Sequence, residues 1–317
     1  MEQRARPIKL GLTLPQIEGM MHGETARWAD LLAMARRAEE VGFDSVWVVD
    51  HLLLHGVRQT GQREGLWECW TLLAALAAAT ERVELGPLVC CTGFRNPALL
   101  AKMADTVDEI SGGRLILGLG AGWHEYEYNA FGYPFDHRVG RFEEALTIIH
   151  TLLREGKADF QGTYYQVREC ELRPRGPRPQ GPPILIGALA NRPRMLGLVA
   201  RYADQWNVWL VFGRNHADQI PPLRDAVDAA CAGAGRDPAT LERTAGVLVD
   251  VTGRKPPPKT LPSGSVEEPI AGSSDEIAES LRAFAREGIG HLQVRLYPNN
   301  LAGIEAFAPV IERLGRG

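Results

Sequence analysis

A short apolar run followed by a helix-like stretch recurs eight times along this chain. Ile8–Leu14, Asp44–Val49, Arg82–Cys90, Arg114–Leu119, Pro183–Gly187, Asp204–Trp209, Thr244–Val251 and His291–Leu296 read as strands. They are short, rich in Val, Ile, Leu and Trp, and nearly continuous, as strands buried on both faces are. Between them lie amphipathic stretches at helical spacing. In Thr25–Val41, Trp28, Leu31, Leu32, Ala35 and Ala38 share a face, and Gly42 suits the helix end. Pro97 stands in the first turn of the helix predicted over Pro97–Ile110, and Gly112-Gly113 ends it. Eight strand-then-helix units predict an α/β fold, a closed (β/α)8 TIM barrel of parallel strands. An open doubly wound sheet is the competing topology.

Three segments interrupt the alternation after strands: Leu53–Trp67 after the second, Ala121–Asp136 after the fourth and Thr252–Pro269 after the seventh. In a barrel these are the loops that build the active-site face. A fourth segment, Ala158–Pro182, begins with a hairpin pattern around Phe160–Val167 and precedes the fifth strand. Length agrees with this layout. At 317 residues the quotient of ~150 residues per domain gives about two domains, but one barrel of ~250 residues plus these insertions accounts for residues 1–317 as a single domain.

With 35 basic and 39 acidic residues the formal charge is −4, which argues against nucleic acid as a partner. The five cysteines, Cys69, Cys90, Cys91, Cys170 and Cys231, are odd in number and contain no C-x-x-C, so neither a disulfide framework nor a zinc module is predicted. No signal peptide pattern follows Met1, and no apolar run approaches the ~20 residues of a membrane span. A soluble cytoplasmic protein is expected.

Asp50-His51 falls at the end of the second strand, where side chains enter a barrel mouth. His is the side chain best suited to exchange a proton near neutral pH. A loop-capping Asp beside an ordinary His is the competing reading. His55 lies four residues on, so the three mimic a metal cluster, but Leu12-Thr-Leu14 supplies no H-x-H after the first strand. No metal site is expected. Gly118-Leu-Gly-Ala-Gly122-Trp123 has glycines that let a backbone approach a ring or phosphate closely; it lacks the third glycine of a dinucleotide fingerprint, and a tight turn explains it equally. Ile184–Ala190 leads into a helix whose first amides, with Arg192 and Arg194, suit an anion; an ordinary loop with solvated arginines is the alternative. Val89-Cys-Cys-Thr-Gly93 closes the third strand with two small thiols that serve equally well as apolar filler.

Taken together these residues resemble a family. The chain is similar to the bacterial luciferase-like flavin oxidoreductases, and within them to the coenzyme F420-dependent branch. The resemblance is most specific over Phe94–Trp123 (FRNPALLAKMADTVDEISGGRLILGLGAGW), with further matches at Ala38–Trp47, Arg141–Leu146, Pro182–Gly187 and Ala200–Asp204. It implies a TIM barrel with the flavin across the C-terminal mouth and a hydride passed between F420 and a small organic substrate. FMN is the alternative cofactor, in a monooxygenase that uses O2; a non-catalytic flavin-binding barrel is the remaining one.

By the same resemblance, a bulge at Val89, Cys90, Cys91 and Thr92, often with a non-prolyl cis peptide, backs the flavin ring. Asp50 and His51 contact it, with His51 the proton donor or orienter and Asp50 orienting His51 or bonding the cofactor edge. Gly120, Ala121, Gly122 and Trp123, with Gly187, Ala188, Leu189 and Ala190, hold the phosphate-bearing tail. Trp67, Trp123 and Trp209 are candidate apolar walls. A homodimer is also implied. There are departures. Trp123 stands where some F420 dehydrogenases place an acid, for which Glu125 or Glu127 could substitute. Gly187–Ala190 is bulkier than the corresponding turn in relatives. An oligoglutamate tail would be met by a basic groove near Arg95, Lys102, Arg192 and Arg194, whereas FMN needs one phosphate site.

Overall fold

In the computed structural model, residues 6–21, 23–56, 62–189, 191–261 and 266–315 are described. Eight parallel strands form the barrel: β1 (Lys9–Thr13), β2 (Ser45–Val48), β3 (Glu84–Pro87), β4 (Leu117–Gly120), β5 (Ile184–Gly187), β6 (Gln205–Trp209), β7 (Glu242–Asp250) and β8 (His291–Tyr297). Their order is β3-β2-β1-β8-β7-β6-β5-β4. The seam closes in two places. Leu85 bridges Leu115, and Cys90–Cys91, just beyond β3, pairs with Leu119 and Gly120 of β4. The expected barrel is therefore observed, not an open sheet.

Helices α1 (Trp28–Val41), α2 (Cys69–Ala79), α3 (Pro97–Ser111), α4 (Glu125–Phe131), α5 (Arg138–Glu155), α6 (Pro193–Tyr202), α7 (Ile220–Gly233), α8 (Ser274–Arg286) and α9 (Leu301–Leu314) surround it. Sequence chemistry sets their ends. Asn96 caps α3 by accepting from Ala98 N and Leu99 N, with Pro97 in the first turn. Ser273 and Glu276 form a capping box on α8. Gly42 closes α1 in the left-handed region at φ 101°. Several elements were not expected: α4, inside the segment after β4, a small hairpin of Leu53–His55 with Arg63–Gly65 after β2, and, after β7, Lys259–Thr260 paired with Val266–Glu267 and Ile270–Ala271 paired with β7. The hairpin predicted around Phe160 is present as Lys157–Gln161 with Gln166–Glu171.

The main core lies between barrel and helices, where alternate strand residues such as Leu10, Leu12, Val46, Ile184 and Ile186 point outward. The other face of each strand fills the lumen. Trp47, Ile116 and Leu185 pack there with Leu88. Trp47 needs two glycines as neighbours: a Cβ on Gly11 would come within 2.3 Å of its Nε1, and one on Gly86 within 2.8 Å of its ring. Polar lumen residues bind each other. Ser45 Oγ lies 2.8 Å from His291 Nε2, and Asn207 Nδ2 donates to Thr244 Oγ1 and Gln293 Oε1, both at 2.8 Å. Among the described residues no helix is long and apolar enough to cross a membrane.

Candidate active site

Beyond β2 the chain delivers Asp50 and His51 to the C-terminal mouth. Asp50 is buried, and both its oxygens are engaged. Arg95 grips them in a fork, Nη1 to Oδ2 at 2.7 Å and Nη2 to Oδ1 at 3.0 Å, and the Cys91 N–H donates to Oδ2 at 2.9 Å. Arg95 Nη2 also reaches Glu68 Oε1 at 2.6 Å, and Glu68 caps α2 through Trp70 N and Thr71 N. Burial works against the Arg95 charge, but Asp50 chiefly outweighs it, and the net effect raises its pKa. One buried network thus ties the end of β2, the strand after β3 and the start of α2.

His51 has a different partner. Its Nδ1 lies 2.7 Å from Glu127 Oε1, and Glu127 Oε2 accepts the Leu52 N–H at 2.8 Å. Glu127, on α4, is 1% exposed, so the carboxylate acts on His51 without competing water. A carboxylate accepts a hydrogen bond from Nδ1–H, the tautomer that leaves His51 Nε2 available on the mouth side. The Trp123 ring stands edge-on to His51, 5.5 Å away at 80°. His55 does not join this pair: its N–H donates to His124 Nε2 and its ring packs on Tyr126. Among the described residues no group of His, Cys, Asp and Glu is arranged to hold a metal ion.

At the floor, Val89 follows a cis peptide bond from Leu88. Gly120 and Gly187 flank it. A Cβ on Gly120 would come within 2.7 Å of Val89 Cγ2, whereas one on Gly187 would make only ordinary contact. Small residues here keep the surface around Val89 low, a shape that fits a planar ring. A cleft of about 720 Å3 lies between the start of α5, the Thr163-Tyr164 turn and Arg194. Arg138, at its edge, donates to Gly122 O at 2.5 Å.

A model of the luciferase-like monooxygenase family matches residues 8–256. The chain belongs to this family. It is 33% identical over 213 residues to the pyrimidine monooxygenase RutA of Stutzerimonas stutzeri (strain A1501), over 64% of this chain and 56% of that one. It is 35% identical over 213 residues to RutA of Methylorubrum extorquens (strain PA1), over 63% and 54%. The chain thus spans little more than half the length of these curated relatives. In fold it is similar to an F420-dependent secondary alcohol dehydrogenase solved with an F420–acetone adduct, with a TM-score of 0.79, 21% identity and coverage of 97% and 99%. It is similar also to the FMN-bound oxygenating constituent of the 3,6-diketocamphane monooxygenase of Pseudomonas putida, with a TM-score of 0.73, 18% identity and coverage of 98% of each. At such identities these two show the fold alone.

Against a luciferase-like frame the expected residues divide. Gly120 and Gly187 flank Val89, Trp123 stands against His51, and Asp50 is bonded to the Cys91 N–H two residues beyond Val89. Asp50 does not orient His51, because its oxygens belong to Arg95 and Cys91; Glu127 does. Cys90 turns away from the mouth and accepts from Trp70 Nε1 at 3.5 Å. Cys91 lies 2.8 Å from Tyr128 OH, and burial pushes its thiol up to about 12. Both thiols are filler, not nucleophiles. Thr92 is buried, its hydroxyl on Gly120 O. Gly122 has φ 71°, and a Cβ there would meet Tyr128 OH at 2.1 Å, so its lack of a side chain serves Tyr128; Tyr128 also donates to Ala121 O.

The tail-binding expectations fare less well. The Ala188 N–H is bonded to Asn207 O at 3.1 Å and is not available to a phosphate. Leu189 is exposed, and Ala190 lies outside the described residues. Of the expected basic groove, Arg95 is held by Asp50 and Glu68, Arg194 by Glu143 and Lys102 by the Arg173 carbonyl; Arg192 is exposed at the start of α6. Trp67 and Trp123 lie at the mouth, and Trp209 packs at the top of the lumen. Glu127, one of the two candidate acids, lies on α4 with Tyr128, which the sequence does not single out; Glu125, the other candidate acid, is exposed.

Proposed function

We propose that the protein is a reduced-flavin oxidoreductase of the luciferase-like type, with FMN as its cofactor and a small organic molecule as its substrate. The observation that carries this is His51 held by the buried Glu127 beside the low floor of Val89, Gly120 and Gly187. The floor residues would hold the flavin ring, and the cleft beside Arg138 would take its phosphate end. When bound, the flavin supplies the reducing equivalents and, with O2, the oxygen chemistry. The chain supplies the rest. His51 Nε2 takes or gives a proton at the substrate, and Glu127 keeps the ring turned that way. Asp50 and Arg95 fix the strand after β3 through the Cys91 N–H. Trp123 shields His51 from water. A usable acid–base pair at the mouth supports catalysis over a purely binding role.

Hydride transfer with F420 is the second reading, favoured by the Asp50-His51 pair after β2. FMN is preferred because three of the four cations that would meet an acidic tail are engaged within the protein. The monooxygenase names of the 33–35% identical relatives support the same choice. The reading takes residues 1–317 as one barrel domain and expects a homodimer. Titration of the purified protein with FMN and with F420, followed by Trp fluorescence, tests it. Saturable FMN binding is expected; a response to F420 and none to FMN reverses the cofactor assignment.

A further inference from the structure

Glu127 sits on a helix too short to place it. α4 has seven residues, and His124 gives its first turn no side-chain cap. A helix of this length is not stable by itself in water, so contacts with the barrel hold it. They come from two sides. On one, Glu127 accepts from Leu52 N and Leu53 N at 2.8 and 3.4 Å, and His124 Nε2 accepts the His55 N–H at 3.1 Å. These bonds tie α4 to the segment after β2. On the other stands Tyr128, which follows Glu127 in the chain and is 1% exposed.

The Tyr128 hydroxyl joins α4 to two further segments. It donates to Ala121 O at 3.1 Å in the loop after β4, and it lies 2.8 Å from Cys91 Sγ in the strand after β3. Burial raises the pKa of both the phenol and the thiol, so each keeps its proton. A phenol has one proton to give. With that proton directed at Ala121 O, the Cys91 thiol is the donor and the hydroxyl its acceptor. The hydroxyl has little room. A Cβ on Gly93 would come within 2.7 Å of it, and one on Gly122 within 2.1 Å. The ring packs on Phe94 and Phe135, at centroid distances of 4.9 and 5.2 Å.

Cys91 is a junction. Its N–H donates to Asp50 Oδ2, and its side chain meets Tyr128. Tyr128 therefore connects the Asp50–Arg95 network to the residue beside Glu127. The tolerance is small. His51 Nδ1 and Glu127 Oε1 are 2.7 Å apart, so a displacement of α4 by about 0.5 Å takes the pair to the far end of hydrogen-bond range. Apolar packing is non-directional; two hydrogen bonds at the tip of the ring fix its position.

We infer that Tyr128 is a positioning residue for the acid–base pair: its hydroxyl, bonded to Cys91 and Ala121, holds α4 where Glu127 keeps His51 in the Nδ1–H form. This rests on the reading of His51 and Glu127 as that pair.

Histidine-ring NMR spectra of protein carrying isotope-labelled histidine test it, recorded without flavin at a mildly alkaline pH, where an ordinary His ring is neutral. Signals that vanish in His51→Gln belong to His51. Wild type should show His51 in one form, protonated at Nδ1 and bare at Nε2. Tyr128→Phe keeps the ring and removes the hydroxyl. It should fold, melt a few degrees lower and show both tautomers of His51, as Glu127→Gln should. Cys91→Ala should give the same mixture, and Cys91→Ser, which keeps a donor there, should return the wild-type form. A Tyr128→Phe protein that is less stable but leaves His51 as in wild type gives Tyr128 a packing role only and overturns the proposal. If Tyr128→Phe does not fold, Cys91→Ala decides by the same criterion. A mixture in wild type itself sinks the acid–base reading and this inference with it. Because no flavin is present, failure of FMN binding sinks the cofactor assignment alone.

Discussion

His51 keeps one ring nitrogen for the mouth because Glu127 takes the other. Glu127→Gln retains the shape but can donate as well as accept, so the ring loses its fixed tautomer. Turnover should fall by roughly 10- to 100-fold, with a changed pH profile. A profile identical to wild type in a correctly folded variant would remove Glu127 from the mechanism. A second histidine reports on stability. His291 is buried in the lumen, where burial first and the Lys9 charge second lower its pKa to about 3. Above its ordinary value of about 6.5 the ring is neutral folded or unfolded, and its contribution is intact. As pH falls below that, the unfolded chain takes a proton that the folded chain refuses until about 3. Stability therefore declines across this window, by up to about 1.4 kcal/mol per pH unit. Urea unfolding of wild type and His291→Gln at several pH values checks it, the variant being expected to show the shallower slope.

Among the elements, α4 had no visible signature. Its seven residues are too few to show a helical period, and His124 offers no side-chain cap. Yet it carries Glu127 and Tyr128, so the acid–base partner could not be chosen between Glu125 and Glu127 from spacing alone. The segment before β5 shows the reverse. Its Pro, Arg and Gly content reads as a loop, but the structure straps it to α3: the Gly176 N–H donates to Asp105 Oδ2 at 2.9 Å, and Arg178 pairs with Asp108. Asp108 is fully buried. Asp108→Ala leaves the Arg178 guanidinium and the Leu115 N–H without that carboxylate, and should cost about 3 kcal/mol in chemical denaturation. A loss under 1 kcal/mol, as for an exposed pair, would mean the strap is held by packing alone.

For the molecule as a whole, ligand linkage offers a check on the cofactor. FMN at about 100 times its Kd should raise the unfolding free energy by about 2.7 kcal/mol if it binds only the folded barrel, seen as a higher Tm. An unchanged Tm at saturating FMN would contradict the assignment.

The barrel itself was legible before any coordinates, because eight repeats of a buried-strand period followed by a helical one admit few topologies. Strand position also marks Asp50 and His51 as candidates for the mouth, and the family resemblance adds Val89 and Gly120. What they bind there is not legible in the sequence. Whether Asp50 serves His51 or Arg95 and whether Arg194 is free or held by Glu143 depend on residues tens of positions apart, and whether Gly122 makes room for a ligand or for Tyr128 depends on the turn of α4. Sequence periodicity records which face a side chain occupies; only the closed barrel brings those faces within hydrogen-bonding distance.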